Sequence, residues 1–296
     1  MRWALAALAL FAASPALAVD DDVAGTRPTY IDRALYAPAN GDAIRHKLWV
    51  PGIDDGDVPQ GLTVAGDHVI LGTYNSEGRS PACRLYRIER ATLKVTGHFD
   101  LGHYCGHAGG LAYGGGDRLF VSDTGRLYEL SLAKAFDPAQ TDNAVVKVLS
   151  LRFPLKGSFL AYRDGELWVG TYKKPGNGVV NVITLATFAA ATEPPGLSKQ
   201  HVARSLEISP RTQGAAFDAD GMLWLSQSDS QRGTVQKVDP ETGEVLATYR
   251  LMAGLEDIGF APDGLMWTSS EAGSKRWATW GTYYPLVFSL DPAALR

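Results

Sequence analysis

Several familiar signatures are missing from this chain. It carries no nucleophile elbow, no HExxH, no phosphate loop and no Rossmann fingerprint, which lowers the weight of an enzyme reading without removing it. Long helix-forming stretches are few. Beyond the first residues no apolar run approaches the length of a membrane span, so no span is expected. The formal net charge is only −4, with no basic surplus, which argues against nucleic acid as the main partner. Cysteine is down to two residues, Cys83 and Cys105, so a disulfide within the chain must join this pair.

What is present is a repeated sentence. Gln213 to Ser228 reads QGAAFDADGMLWLSQS, a β-hairpin with an Asp220-Gly221 turn between two apolar runs. Related copies begin at Gln60, Gly109, Ser158 and Glu256, and the five are spaced 43 to 55 residues apart. Such spacing is the mark of a propeller with one copy per blade. The fold class is therefore all-β: a β-propeller of five four-stranded blades, with six blades as the alternative.

In chain order, residues 1–18 read as a secretory signal peptide, with a positive start, an apolar run and Ala16-Leu17-Ala18 before the cut. This predicts a periplasmic or secreted monomer. Residues 19–43 form a mobile or loosely wrapped leader, and residues 44–296 a single propeller domain. The acidic run Asp20-Asp21-Asp22 lacks ligand spacing and is read as solvated. Ile44 to Val50 is a strand with no hairpin partner, while the last blade has only three strands of its own. The orphan strand is thus expected to close the ring as the outer strand of that blade, because an open ring would expose sheet edges. A short helix is expected at Ala186 to Ala191.

The repeat, of the form G-apolar-x-apolar-D-x-D-G-x-L-W-apolar-S, resembles those of the NHL, YVTN and gluconolactonase/strictosidine-synthase-like propeller superfamily. The resemblance runs from about Gln60 onward and is carried by the turn and the Trp strand. It implies architecture. Those relatives include lactonases, lyases and binding propellers, so it implies no single reaction. Most named members have six or seven blades.

Strand alternation places the starts of the inner strands and the ends of the second strands on one face, the top. Gln60, Gly109, Ser158, Gln213 and Glu256 then surround the channel mouth, with Asp257 one position further in. The opposite face is mostly tight turns, which leaves little to bind with. Glu256-Asp257 departs from its own repeat, whose other copies read Gln-Gly, Gly-Gly, Ser-Phe and Gln-Gly. Two carboxyls there can hold a metal or raise one another's pKa, or else Glu256 faces solvent and Asp257 bonds neighbouring strand starts. The loop Glu271 to Pro285 carries Lys275, Arg276, Trp277, Trp280, Tyr283 and Tyr284, a recognition composition. Alternation of His103, Cys105 and His107 suits zinc or copper, but export favours a Cys83–Cys105 disulfide instead. Asp218, Asp220 and Asp263 resemble fragments of a calcium loop and are assigned to turns.

The expected function is ligand binding at the top face and channel mouth, the ligand being a small molecule or an envelope or extracellular protein. Gln60, Gln213, Arg276, Trp277 and Trp280 are the binding candidates, with Arg276 available for an anionic group. The alternative is a metal-dependent hydrolase or lactonase. Its catalytic candidates are Glu256, Asp257 and His107, and its metal candidates Glu256, Asp257, His103 and His107, with calcium as the divalent ion considered. A structural module of an envelope complex is the third reading.

Overall fold

The computed structural model describes residues 22–102 and 104–296. Five antiparallel four-stranded sheets form five blades. Blade one runs Asp57–Ala65, His68–Asn75, Cys83–Glu89 and Val95–Leu101. Blade two runs Gly110–Tyr113, Arg118–Asp123, Arg126–Ser131 and Val145–Ser150. Blade three runs Phe159–Arg163, Glu166–Thr171, Gly178–Thr184 and Arg204–Ile208. Blade four runs Thr212–Phe217, Leu223–Ser228, Gly233–Val238 and Val245–Arg250. Blade five takes Leu255–Phe260, Met266–Ser270 and Leu286–Leu290 from the C-terminal part of the chain. Its outer strand is Ile44–Trp49, antiparallel to Leu286–Leu290, with Leu48 opposite Val287. The orphan strand closes the ring as expected.

The seams between blades are filled by one column of the repeat. Ile70, Phe120, Trp168, Trp224 and Trp267 occupy the same position of successive second strands, one in each seam, and none is more than 4% exposed. Their size sets the distance between sheets. The turn aspartate Asp218 accepts from the amides of Asp220 and Met222 and from Trp224 Nε1 at 2.8 Å, so it holds the hairpin, as a turn residue should. The short helix spans Leu185–Ala190, capped by the Thr184 side chain, one residue earlier than the sequence suggested.

The N-terminal segment is wrapped. Ala24 forms a parallel bridge with Leu48, and the Tyr36 amide donates to the Tyr283 carbonyl at 2.8 Å. Tyr30 Oη donates to the Gly273 carbonyl, and Arg33 donates to the carbonyls of Trp280 and Gly281. Residues 22–36 therefore strap the aromatic loop of blade five. The predicted signal peptide and Asp20-Asp21 lie outside the described residues.

Cys83, at the start of the third strand of blade one, is joined to Cys105 in the crossover to blade two, with Cα atoms 5.8 Å apart. The bridge closes a span of 22 residues. Replacing both cysteines by serine is expected to lower unfolding free energy by about 3 kcal/mol, the loop-closure entropy returned to the unfolded chain. Urea denaturation of the double variant checks this; a midpoint equal to the parent's would contradict it.

The bottom face differs from expectation. Between blades four and five it opens into a cavity of ≈ 860 Å³, with Phe217, Trp224, Tyr249 and Phe260 among its walls and Lys237 at a polar edge. The turn residues Asp218, Asp220 and Asp263 also line it.

Candidate functional site

Three irregularities in the ladders build the top of the channel. In blade one Pro59 pairs with Thr73 and Leu62 with Leu71, so Gln60 and Gly61 fall in a bulge. In blade four the register slips between Thr212 and Gly214, around Gln213. In blade five Leu255 pairs with Ser270 and Ile258 with Thr268, so Glu256 and Asp257 fall in a third. Bulges re-aim side chains. Here they turn the repeat's channel-mouth residues inward at equivalent places in three blades.

The two acidic neighbours then part company. Asp257 is 0% exposed and lies on the axis. One carboxylate oxygen accepts from the amides of Leu62 at 3.1 Å and Leu111 at 2.9 Å. The other accepts from Ala215 at 3.2 Å and Ile258 at 3.0 Å. One side chain thus ties the inner strands of blades one, two, four and five. Gly214 leaves the room for it, since a Cβ there would stand 2.6 Å from an Asp257 carboxylate oxygen. Burial pushes the Asp257 carboxyl well above its ordinary value, and the four amides pull the other way. Four donors on two oxygens suit the carboxylate, since an acid proton would compete with one of them. Asp257 bonds its neighbours' strand starts, as one of its two expected roles required.

Glu256 does not face solvent; it is 2% exposed. Its oxygen accepts from Gln213 Nε2 at 3.2 Å, and its carboxyl hydrogen-bonds that of Glu271. Glu271, the residue after the second strand of blade five, accepts from Trp277 Nε1 at 2.6 Å and from Gln60 Nε2 at 3.3 Å. Burial drives Glu256 well above the carboxylate range, and the charges of Glu271 and Asp257 add to it. Burial likewise pushes Glu271 up to about 7, against the pull of Trp277, Arg276 and Gln60. Two carboxyls this close cannot both ionise cheaply, so they share a proton. The pair at the mouth is therefore Glu256 with Glu271.

The aromatic residues stand above this pair. The Arg276 guanidinium carbon lies 5.4 Å from the Tyr74 ring centre and 4.9 Å from that of Trp277. Trp277 stacks on Trp280 at 4.7 Å, and Tyr74 on His107 at 4.9 Å. His107, Tyr74, Arg276, Trp277 and Trp280 thus form one row of flat groups across the mouth. Burial lowers the His107 pKa, opposed by the charge of Asp123, so the ring is neutral near physiological pH.

Among the described residues no three His, Cys, Asp or Glu side chains are grouped to hold a metal ion. Asp257 is committed to amides, Cys105 to its disulfide, and His103 lies outside the described residues. Tyr74 and above all Glu271 were underweighted by sequence reasoning. A signal existed, because Glu271 stands where the other blades have Tyr74, Thr124, Tyr172 and Ser228. It departs from its repeat as Glu256 does.

Neither a family model nor a curated protein sequence matches the chain. Solved β-propeller structures do. The luciferin-regenerating enzyme is 11% identical with a TM-score of 0.40, over 81% of this chain and 92% of that one. Virginiamycin B lyase from Staphylococcus aureus is 15% identical with a TM-score of 0.37, over 72% of this chain and 78% of that one. Kuenenia stuttgartiensis hydrazine synthase is 16% identical with a TM-score of 0.42, over 72% of this chain. The chain spans 56% of that structure and 50% of the Dos1 propeller, about half of each. Likeness at these levels concerns the propeller fold, and here five sheets in the chain itself already establish it.

Proposed function

We propose that this chain is an exported propeller that binds a small polar ligand in the top mouth of its channel, with the Glu256–Glu271 pair as the recognition element. The observation that carries the reading is a buried carboxyl pair at a position the fold does not need to be acidic. Gln60 and Gln213 fill the equivalent places in blades one and four, and neutral amides would serve packing as well. Burying carboxyls costs stability, and departures from local consistency of this kind gather at functional sites. The disulfide and the signal-like start support export. No helix among the described residues is long and apolar enough to cross a membrane.

A second reading is favoured by one observation. A carboxyl titrating at about 7 can give or take a proton at neutral pH, which is what acid–base chemistry requires. A hydrolase or lactonase would use Glu271 in that role. Elemental analysis of protein purified without chelator shows whether a metal takes part.

The site is tested by a thermal-shift screen of amines, polyols and carboxylic acids against the parent and the Glu256→Gln/Glu271→Gln variant. Binding in the mouth requires hits that the variant loses; hits that persist unchanged place the ligand elsewhere. Turnover of ester or lactone probes, lost in the same variant, marks the enzyme.

The pair also predicts a pH dependence. Glu271 keeps its proton in the folded chain up to about 7, whereas the unfolded chain releases it near 4.5. The folded state binds more protons in that window, so stability is greatest below it and falls as pH rises through it. Glu271 accounts for about 3 kcal/mol of the loss, and Glu271→Gln is expected to make the curve shallower, leaving the part that buried Glu256 contributes. Denaturation midpoints across this pH range measure it; equal slopes for parent and variant would contradict the assignment.

A further inference from the structure

We infer that the ligand is an organic cation bearing a guanidinium or alkylammonium group, and that Arg276 stands in its place in the ligand-free protein. The inference rests on the top-mouth site and names what that site takes. The guanidinium carbon of Arg276 lies 5.4 Å from the ring centre of Tyr74 and 4.9 Å from that of Trp277, and the guanidinium also hydrogen-bonds the Tyr74 hydroxyl. Two rings about a flat cation form a cation–π cage, the usual means of recognising such ligands.

The cage is built independently of its occupant. Tyr74 is the penultimate residue of the second strand of blade one and is 5% exposed. Trp277 is fixed by its indole N–H on Glu271 and by its stack on Trp280. The loop behind it is held by Tyr30 and Arg33 through the carbonyls of Gly273, Trp280 and Gly281. Arg276 itself is exposed, so solvent can receive its side chain without a buried charge being left behind.

Charge points the same way. The nearby cations are engaged elsewhere, Arg211 with Asp229 at 3.2 Å and Lys275 with Glu77 at 3.0 Å. Glu256 and Glu271 are left with amide and indole donors and each other's proton, and Arg276 is the cation whose field reaches Glu271. An anionic ligand would meet this pair unfavourably. A cationic one entering from above would let Glu271 ionise, and its binding would release a proton into solution.

The test uses the full-length protein, methylguanidinium chloride as probe, and calorimetry at neutral pH and low salt in two buffers of different ionisation enthalpy. Arg276→Ala empties the cage, and its thermal midpoint, expected near the parent's, confirms folding. It is expected to bind methylguanidinium about tenfold more tightly than the parent, with proton release, once the internal competitor is gone. Adding Glu271→Gln should abolish both binding and release, and urea, a neutral flat analogue, should not bind. No gain in Arg276→Ala, binding that survives Glu271→Gln, or equal binding of urea would each overturn the inference. A neutral or acidic compound that stabilises the parent through Glu256 and Glu271 would keep the site while removing the cation. Silence toward every class of probe would remove both.

Discussion

Asp257→Ala is expected to yield a chain that folds poorly or not at all. The substitution removes the acceptor of four backbone N–H groups, those of Leu62, Leu111, Ala215 and Ile258, contributed by four of the five blades. Each buried donor left without a partner costs about 1–3 kcal/mol. Even with partial rescue by water entering the channel, the loss is roughly 4–8 kcal/mol, most of the stability of an ordinary domain. Asp257→Asn should be intermediate, because its amide nitrogen faces two N–H groups as a fellow donor. Glu256→Gln, one residue away, should be neutral or stabilising. Soluble yield and chemical denaturation distinguish the three; an alanine variant within about 1 kcal/mol of the parent would show that Asp257 is not the tie between blades.

Deleting the segment up to residue 52 is expected to have a comparable effect by another route. Ile44–Trp49 supplies the outer strand of blade five, and its loss bares the edge of Leu286–Leu290, every residue of which is buried. It also removes Leu48, Trp49 and Val50, each no more than 3% exposed. Burial of three such side chains is worth on the order of 5–9 kcal/mol. The exposed edge adds a template for pairing between chains, so the variant should be insoluble. A deletion variant that is soluble and melts like the parent would mean that the ring closes without this strand.

The architecture was legible because a propeller writes one hairpin per blade. Turn chemistry at Asp-Gly or Gly-Asp pairs marks each copy, and Trp168, Trp224 and Trp267 recur in one column of the second strands, which the structure extends to Ile70 and Phe120. Closure was legible by counting, since blade five lacked one strand and Ile44–Trp49 lacked a partner. The site was only half legible. A departure from the repeat flagged Glu256 and Asp257, but their separate fates depend on a bulge that turns one carboxyl onto the axis and the other toward Glu271. Bulge register is set by contacts among several blades, which no local pattern encodes. The hold of Tyr30 and Arg33 on the blade-five loop was invisible for a related reason. A segment without periodicity reveals its partners only once the surface it crosses exists.

The central claim is that Glu256 and Glu271 share one proton at the mouth of the channel. Infrared spectroscopy reads it directly, since protonated and ionised carboxyls absorb apart. The parent at neutral pH should show a protonated-carboxyl band that is absent from the Glu256→Gln/Glu271→Gln variant and that bleaches as pH is raised. A parent spectrum with both groups ionised at neutral pH, or a band that survives the double substitution, would contradict the account.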